Sequence, residues 1–560
     1  MLFYDFEVFQ HDWLVVIYDM TNKKEHVIIN NSKALQDFYE EHKGDVWIGY
    51  NSRHYDQYIL KGILCGFNPK EVSDWIVVDG KGGWQFSKLF MKIPLNNFDI
   101  MTTFHGLKQL EGFMGEMIKE SDVSFDIERK LTSEEIEDVV KYCRHDVQQT
   151  IKVFIKRKQE FESHMQLITT FHLPLYYISK TKVQLSAIIL DAQKVERNDE
   201  FDIEFPDTLI LKKYKSVLDW YKDEENRDYT KENIVEVAGI EHVFAWGGLH
   251  GAIPNYIEEG RFMNIDVASY YPALMIEYGW GSRNMSNPDK YREIRDKRIE
   301  LKKAKNPLQA PYKIVLNGTY GAMKDKFNNL YDPRQANNVC IGGQLLLLDL
   351  IEKLEDKCKL IQSNTDGLIV KIDQNNENEI LEICKEWENR TRMKLEYDYY
   401  SKMIQKDVNN YIIVDDKGNY KSKGSYVKKL DELDFDLPIV NKAVVDYFIK
   451  GISAEETILN CKELKMFQNV VKVSSKYMYA LYGEEILKEK CLRVFASKNT
   501  DDKGVFKLKT EGKNPEKIAG TPQHCFIMNE NINDARIPRR LDKNWYVELA
   551  KKRIIDFEGR

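Results

Sequence analysis

The sequence predicts an α+β protein of several domains, and three observations carry that prediction. At 560 residues the chain exceeds what a single hydrophobic core organises. Strand-like apolar runs alternate with amphipathic helical stretches along most of its length. Acidic residues end strand-like runs in two distant regions, around Asp5 and around Asp266 and Asp366, so two acid clusters are expected.

Composition narrows the class. The net charge of -7 gives no support to nucleic-acid binding, but basic residues outnumber acidic ones over 283–326, and 402–429 is lysine-rich. Eight scattered cysteines form no Cys-x-x-Cys pair, which argues against a zinc ribbon or a disulfide framework and fits a reducing cytosol. The first five residues carry an acid where a signal peptide carries base, and no apolar run is long enough to span a bilayer. A cytoplasmic location without membrane contact is expected.

In chain order, strands are expected at 1–6 and 13–18. Alternation puts Asp5 and Glu7 on one strand face. Two such acids repel unless water or a cation lies between them, and a solvated edge-strand face is the plain alternative. A strand at 46–51 leads into an amphipathic helix through Leu64, with Asp56 near its start, where a carboxylate commonly caps. Residues 97–100 form another short strand. A long helix is expected from Leu131 to about Phe161, opened by the capping box Thr132-Ser133-Glu134-Glu135. Its apolar stripe is Ile136, Val139, Val140, Cys143, Val147 and Ile151. Tyr142 and Asp146 lie four apart on one side. They are either surface residues or a phenol and a carboxylate reaching the site of Asp5 and Glu7. Four carboxylates so gathered have little structural use without a metal.

Asp5-Phe6-Glu7, the stretch from Asn51 to Tyr55-Asp56, and Tyr142-x-x-x-Asp146 resemble the three motifs of DEDD-type 3′–5′ exonuclease domains of the tyrosine variant. The resemblance implies an RNase H-like domain in which Asp5, Glu7, Asp56 and Asp146 bind two metal ions. Tyr142 would orient the attacking water, and Asn51 and Tyr55 would contact DNA.

Residues 164–193 read as a mostly apolar helical connector, and 194–236 as a charged, peripheral segment without an assigned role. Gly247 and Gly248 lie in a glycine-rich turn, which either lets backbone approach a phosphate chain or is only a turn. Asp266 ends an apolar strand in Asn264-Ile265-Asp266-Val267-Ala268-Ser269-Tyr270-Tyr271-Pro272. A basic helix over 283–305 carries Arg292, Arg295, Lys297, Arg298, Lys302 and Lys303, and Pro307 breaks it. The next helix sets Lys313, Asn317 and Tyr320 on one face, a solvated surface or a triphosphate clamp. Residues 359–373 read as strand, turn, strand around Asn364-Thr365-Asp366-Gly367, with Asp366 at the tip. Two strand-end carboxylates brought together could hold a pair of divalent cations for nucleotidyl transfer.

Asp266-x-x-Ser269-Tyr270-Tyr271-Pro272, Lys313-x-x-x-Asn317-Gly318-x-Tyr320-Gly321 and Asn364-Thr365-Asp366 together resemble motifs A, B and C of family B (α-like) DNA polymerases. With the exonuclease motifs upstream, the order of that family is matched over nearly the whole chain. The resemblance implies a right-hand polymerase with palm, short helical fingers and thumb. Asp266, Asp366 and the Val267 carbonyl would hold two Mg2+ ions, or Mn2+. Tyr271 would lie under the sugar of the incoming dNTP and exclude a 2′-hydroxyl. Lys313, Asn317 and Tyr320 would bind the nucleotide, with Arg295 or Lys302 assisting. The Gly247-Gly248 turn resembles the Tyr-x-Gly-Gly linker of the family, and Lys406 and Tyr411 stand where its Lys-x-Tyr primer element lies.

The domains so implied are an exonuclease domain at 1–163, a connector and peripheral segment at 164–240, palm at 241–282 and 331–426, fingers at 283–330, and thumb at 427–560, mainly helical with a strand-rich middle. Three departures stand out: Asn364 replaces the first Asp of Asp-Thr-Asp, Gly318 a common Ser, and Ala245 the linker tyrosine. Motifs A and B lie 47 residues apart (313 minus 266), without the large insertions of protein-primed phage enzymes. An ordinary primer and a compact phage or mobile-element polymerase are expected. The expected partners are primer–template DNA, dNTPs, a single-stranded DNA-binding protein and a helicase, with the protein itself a monomer. An exonuclease with a decayed polymerase half, and a non-catalytic DNA-binding protein, are the rival readings.

Overall fold

The computed structural model describes residues 1–101, 105–510 and 512–560, a mixed α/β chain of two compact units. The first comprises residues 1–180, 430–440 and 455–548; the second comprises 181–429, 441–454 and 549–560. Residues 427–560, expected as one thumb, are thus divided between the units. Among the described residues no helix is long and apolar enough to cross a membrane.

The first unit is built on strands β1 (Leu2–Val8), β2 (Trp13–Asp19), β3 (Lys24–Ile29), β4 (Val46–Gly49) and β5 (Asn96–Asp99), in the order β3-β2-β1-β4-β5. β1 is central, antiparallel to β2 and parallel to β4. Its period-two pattern sorts the core onto two faces. Leu2, Tyr4, Phe6 and Val8 pack with Ile59, Leu60 and Ile63 of helix Asp56–Leu64. Phe3 packs with Val139, Cys143 and Val147 of helix Ser133–Lys156, each buried side chain contributing about 1.5–3 kcal/mol. Asp5 and Glu7 follow Phe3 on that second face, beneath the helix.

Helix Ser133–Lys156 starts as its capping box dictates: the Thr132 hydroxyl accepts the Glu135 N–H, and the Glu135 carboxylate accepts the Thr132 N–H. It stops at Lys156 rather than running to Phe161. The break falls at Arg157, whose buried guanidinium donates to the Ile100 carbonyl, and a second helix, Lys158–Thr170, follows. Farther along, the strand-rich middle of 427–560 is a three-stranded and a four-stranded sheet over 469–527, with helices Pro438–Lys450 and Ala454–Leu459 before it and Lys543–Glu558 after it.

The second unit is built on nine strands: β6 (Glu232–Val237), β7 (Ile240–Ala245), β8 (His250–Ala252), β9 (Tyr256–Val267), β10 (Lys359–Ser363), β11 (Gly367–Lys371), β12 (Leu395–Asp407), β13 (Asn410–Val414) and β14 (Tyr420–Lys423). Their order is β14-β13-β12-β9-β11-β10-β8-β7-β6. The long β9 lies between β11 and β12, antiparallel to both. Helices Asp289–Lys303 and Gln309–Lys324 take the basic and Lys313-bearing stretches. Helix Pro333–Leu354, buried nearly all round, packs its apolar residues within the unit. The segment 194–236 is tied in by ion pairs: Asp199 meets Arg283 at 2.6 Å and Arg334 at 3.4 Å.

Candidate functional site

The first unit gathers its acids at the end of β1. Asp5, Glu7 and Cys143 place ligand-type atoms within 4.8 Å of one another, and so do Glu111, His145 and Asp146. Asp56 opens its helix without capping it. Its Oδ1 accepts the Phe6 N–H at 3.0 Å, which pins the helix start to β1 beside Asp5 and Glu7. The loop before it is shaped by buried Asp99, which accepts the N–H groups of Asn51 at 2.9 Å and Arg53 at 3.0 Å. Asn51 is exposed with a φ of 60°, and the Tyr55 hydroxyl pairs with Ser73 at 2.9 Å.

These carboxylates are electrostatically strained. Burial, then the charges of Asp56 and Asp146, push Asp5 well above the usual carboxylate range. Burial and Asp5 do the same to Glu7. Burial pushes Asp56 up to about 7 despite its backbone hydrogen bonds, and it raises Asp146 against the pull of Lys108. The Tyr142 phenol is raised by burial and by Asp146, so it keeps its proton and remains a donor. Burial and Asp5 likewise hold Cys143 as a thiol, which donates toward Asp5 rather than offering a thiolate.

Buried acids of this kind, their charge answered only in part by Lys108, fit a hard divalent cation such as Mg2+ or Mn2+. The sequence pattern did not single out Lys108 and Glu111. Lys108 Nζ contacts Asp146, sits 3.2 Å from Glu111 Oε1 and lies 4.7 Å from the centroid of the Tyr142 ring.

The second unit joins Asp266 and Asp366 through strand register. Gly367 pairs with Asp266 across β11 and β9, and the Val267 N–H donates to the Asp366 carbonyl at 2.8 Å. Glycine is required at 367 by close approach: a Cβ there would stand 2.2 Å from Asp266 Oδ1 and 2.8 Å from the Ile265 carbonyl. A cavity of about 260 Å³ opens over the pair, lined by Asn264, Asn364, Asp398, Tyr411 and Lys421 among others. Burial pushes Asp266 up to about 6, reinforced by Asp366 and Asp398 and opposed by the hydrogen bond from Asn264. Asp398, on β12 opposite Asn264, is a third carboxylate that the sequence reading missed; its signal was the alternation of that strand. Lys421 spans it, 3.1 Å from Asp398 Oδ2 and 2.9 Å from the Tyr400 hydroxyl. The Asp266 and Asp366 carboxylates among carbonyl and amide oxygens again suit Mg2+ or Mn2+ rather than a softer metal.

Residues remote in sequence converge nearby. The rings of Tyr271 and Tyr320 lie 4.4 Å apart, while Lys313 and Asn317 stand exposed on the same helix as Tyr320. Gly247 accepts hydrogen bonds from Cys340 and Gln344 through its carbonyl. Gly248 lets the turn approach the β10–β11 hairpin: a Cβ there would meet Thr365 Oγ1 at 2.7 Å. At Ala245, Tyr221 donates its hydroxyl to the backbone carbonyl at 2.9 Å. Asn364 pairs with His250.

Other candidates are placed elsewhere. Tyr411 lines the cavity, but the Lys406 ammonium faces Asp407 at 3.3 Å and the Tyr426 ring at 5.0 Å. Arg295 is engaged with Glu277 at 2.9 Å, and Lys302 is 3.9 Å from Glu396. Arg298 of the same basic helix is the one that reaches Ser269, at 3.0 Å.

No family model matches the chain, and no curated protein matches it. Among solved structures it is similar to the family B DNA polymerase from the hyperthermophilic archaeon Pyrobaculum calidifontis. The identity is 14% and the TM-score 0.43, over 99% of this chain and 77% of that one.

Proposed function

We propose that the chain is a template-directed DNA polymerase with a 3′–5′ proofreading exonuclease, adding dNMP to a primer 3′ end. The observation that carries this reading is the apposition of Asp266 and Asp366 across β9 and β11, with the tilted rings of Tyr271 and Tyr320 in contact nearby. The sheet order β3-β2-β1-β4-β5, with Asp5 and Glu7 on its central strand, supports the RNase H-like exonuclease half.

Two Mg2+ ions held by Asp266, Asp366 and the Val267 carbonyl would supply acidification of the primer hydroxyl and charge neutralisation at the pyrophosphate. The chain's own groups do the rest. Lys313 pairs with the triphosphate as an exposed cation. Tyr271, held against Tyr320, bounds the sugar pocket and excludes a 2′-hydroxyl. In the first unit Tyr142 donates from its neutral phenol to orient water at the terminal phosphodiester. Duplex is gripped through phosphates, so binding is salt-sensitive and nearly independent of sequence. A phage or mobile-element replication role, with a single-stranded DNA-binding protein and a helicase as partners, completes the proposal.

A labelled primer–template incubated with Mg2+, with and without dNTPs, tests both halves. Extension with dNTPs and 3′ shortening without them is the expected result. Asp366→Ala abolishes the first alone and Asp5→Ala the second alone. Shortening without extension in the unsubstituted protein overturns the polymerase reading and leaves an exonuclease with Asn364 as the lesion.

A further inference from the structure

The acid cluster of the first unit divides into two parts of different charge balance. Around Asp5 and Glu7 the described residues place no cation in contact, and the Cys143 thiol there is a neutral donor. Around Asp146 and Glu111 the charge is already answered. Lys108 reaches both carboxylates from helix Leu107–Phe113, one turn from Glu111 on that helix.

This part is built rather than incidental. The Glu111 side chain is 0% exposed, those of Asp146 and Lys108 only 10% and 15%. Glu111 Oε2 also accepts the Lys119 N–H at 3.3 Å, while Oε1 lies 3.5 Å from His145 Nε2. Among the described residues, Lys108 is the one Lys or Arg that ion-pairs with any of Asp5, Glu7, Asp56 and Asp146.

We propose that Lys108 is a built-in counter-ion standing in for one of the two divalent ions expected at this cluster, so that the site takes a single ion, at Asp5 and Glu7. The inference rests on the exonuclease reading of the same site. An ammonium and a divalent ion cannot share one Asp146 oxygen, because like charges about 4 Å apart in a buried setting repel strongly. With Lys108 in place, Asp146 Oδ1 is held by the ammonium, and Asp5 and Glu7, which feel Lys108 only without contact, are the acids left for a hard cation. Lys108 also stands over the Tyr142 ring, so the cation sits beside the phenol assigned to orient water.

The test is Mn2+ binding to the full chain, followed by electron paramagnetic resonance and calorimetry, with Asp366→Ala present throughout to silence the second acid site. One Mn2+ is expected at the cluster, lost in Asp5→Asn. Lys108→Met is expected to admit a second ion or to tighten binding at least tenfold, and Lys108→Arg to keep the count at one. Two ions bound with Lys108 in place overturn the proposal, and that count alone decides the matter if Lys108→Met does not fold. Unchanged count and affinity in a folded Lys108→Met also overturn it. If Asp5→Asn abolishes 3′ shortening while Lys108→Met leaves Mn2+ binding unchanged, this inference fails and the exonuclease reading stands. If the Mn2+ count changes as expected but the unsubstituted chain never shortens a 3′ end, the counter-ion stands and the exonuclease reading fails.

Discussion

Replacing Gly367 with alanine tests the Asp266–Asp366 apposition with one methyl group. The added carbon would stand 2.2 Å from Asp266 Oδ1, 2.8 Å from the Ile265 carbonyl and 3.2 Å from Asp266 Cα. Against an optimal separation of about 3.5 Å, the overlap with Oδ1 is roughly 1.3 Å. A carboxylate relieves such a clash by rotating away. The Ile265 carbonyl belongs to the β9 backbone and yields only if β9 and β11 separate by several tenths of an ångström. Overpacking of this kind costs about 1–3 kcal/mol of stability. The larger effect falls on the site: moving a reacting group by about 1 Å costs on the order of 100-fold in rate, equivalent to about 2.7 kcal/mol of barrier. Single-turnover nucleotide incorporation by Gly367→Ala is therefore expected to fall by ~100-fold, with little change in apparent dNTP affinity. The 3′ shortening assigned to the first unit is expected to persist. Incorporation at the unsubstituted rate would refute the geometric argument.

Further outcomes follow from the same geometry. Gly248→Ala, whose new Cβ meets Thr365 Oγ1 at 2.7 Å, is expected to slow incorporation, and Gly248→Ala with Thr365→Ala to recover part of the loss; an uncoupled double mutant excludes the contact. Asp398→Asn removes one of the charges that, after burial and Asp366, hold Asp266 up to about 6, so the acid limb of the pH–rate profile moves to lower pH, and an unmoved limb rules out the coupling. In the first unit the folded state raises Asp5, Glu7, Asp56 and Asp146 above their unfolded values, Asp56 to about 7. Groups raised on folding contribute stability that is full below about pH 4 and lost as pH climbs through the folded value. The metal-free melting temperature is accordingly expected to fall between about pH 5 and 8 and to be restored by Mg2+. A flat profile contradicts the buried-acid account.

Much of the local architecture was legible because it depends on near neighbours. The alternation of β1 assigns Phe3, Asp5 and Glu7 to one face whatever packs above them. Thr132 and Glu135 start their helix through bonds three residues apart. Asn, Asp and Gly at 364, 366 and 367 turn the β10–β11 hairpin. The misreadings lie where a distant partner decides. The helix stop at Arg157 depends on a carbonyl at Ile100. Tyr221, in a segment given no role, supplies a hydroxyl at Ala245.

The amino-acid sequence by itself determined the inventory: which acids end strands, which helical faces carry Lys313, Asn317 and Tyr320, and where chain-local signals start and stop elements. Only the tertiary structure decided which charges meet. Strand register sets Asp266 beside Gly367 and opposite Glu396, and packing carries Lys108 onto Asp146, 38 residues away. Periodicity of two or 3.6 fixes the direction of a side chain but not its distance to a group on another element. At a buried carboxylate that distance governs the electrostatics, and so whether the neighbour is a proton, an ammonium or a divalent ion.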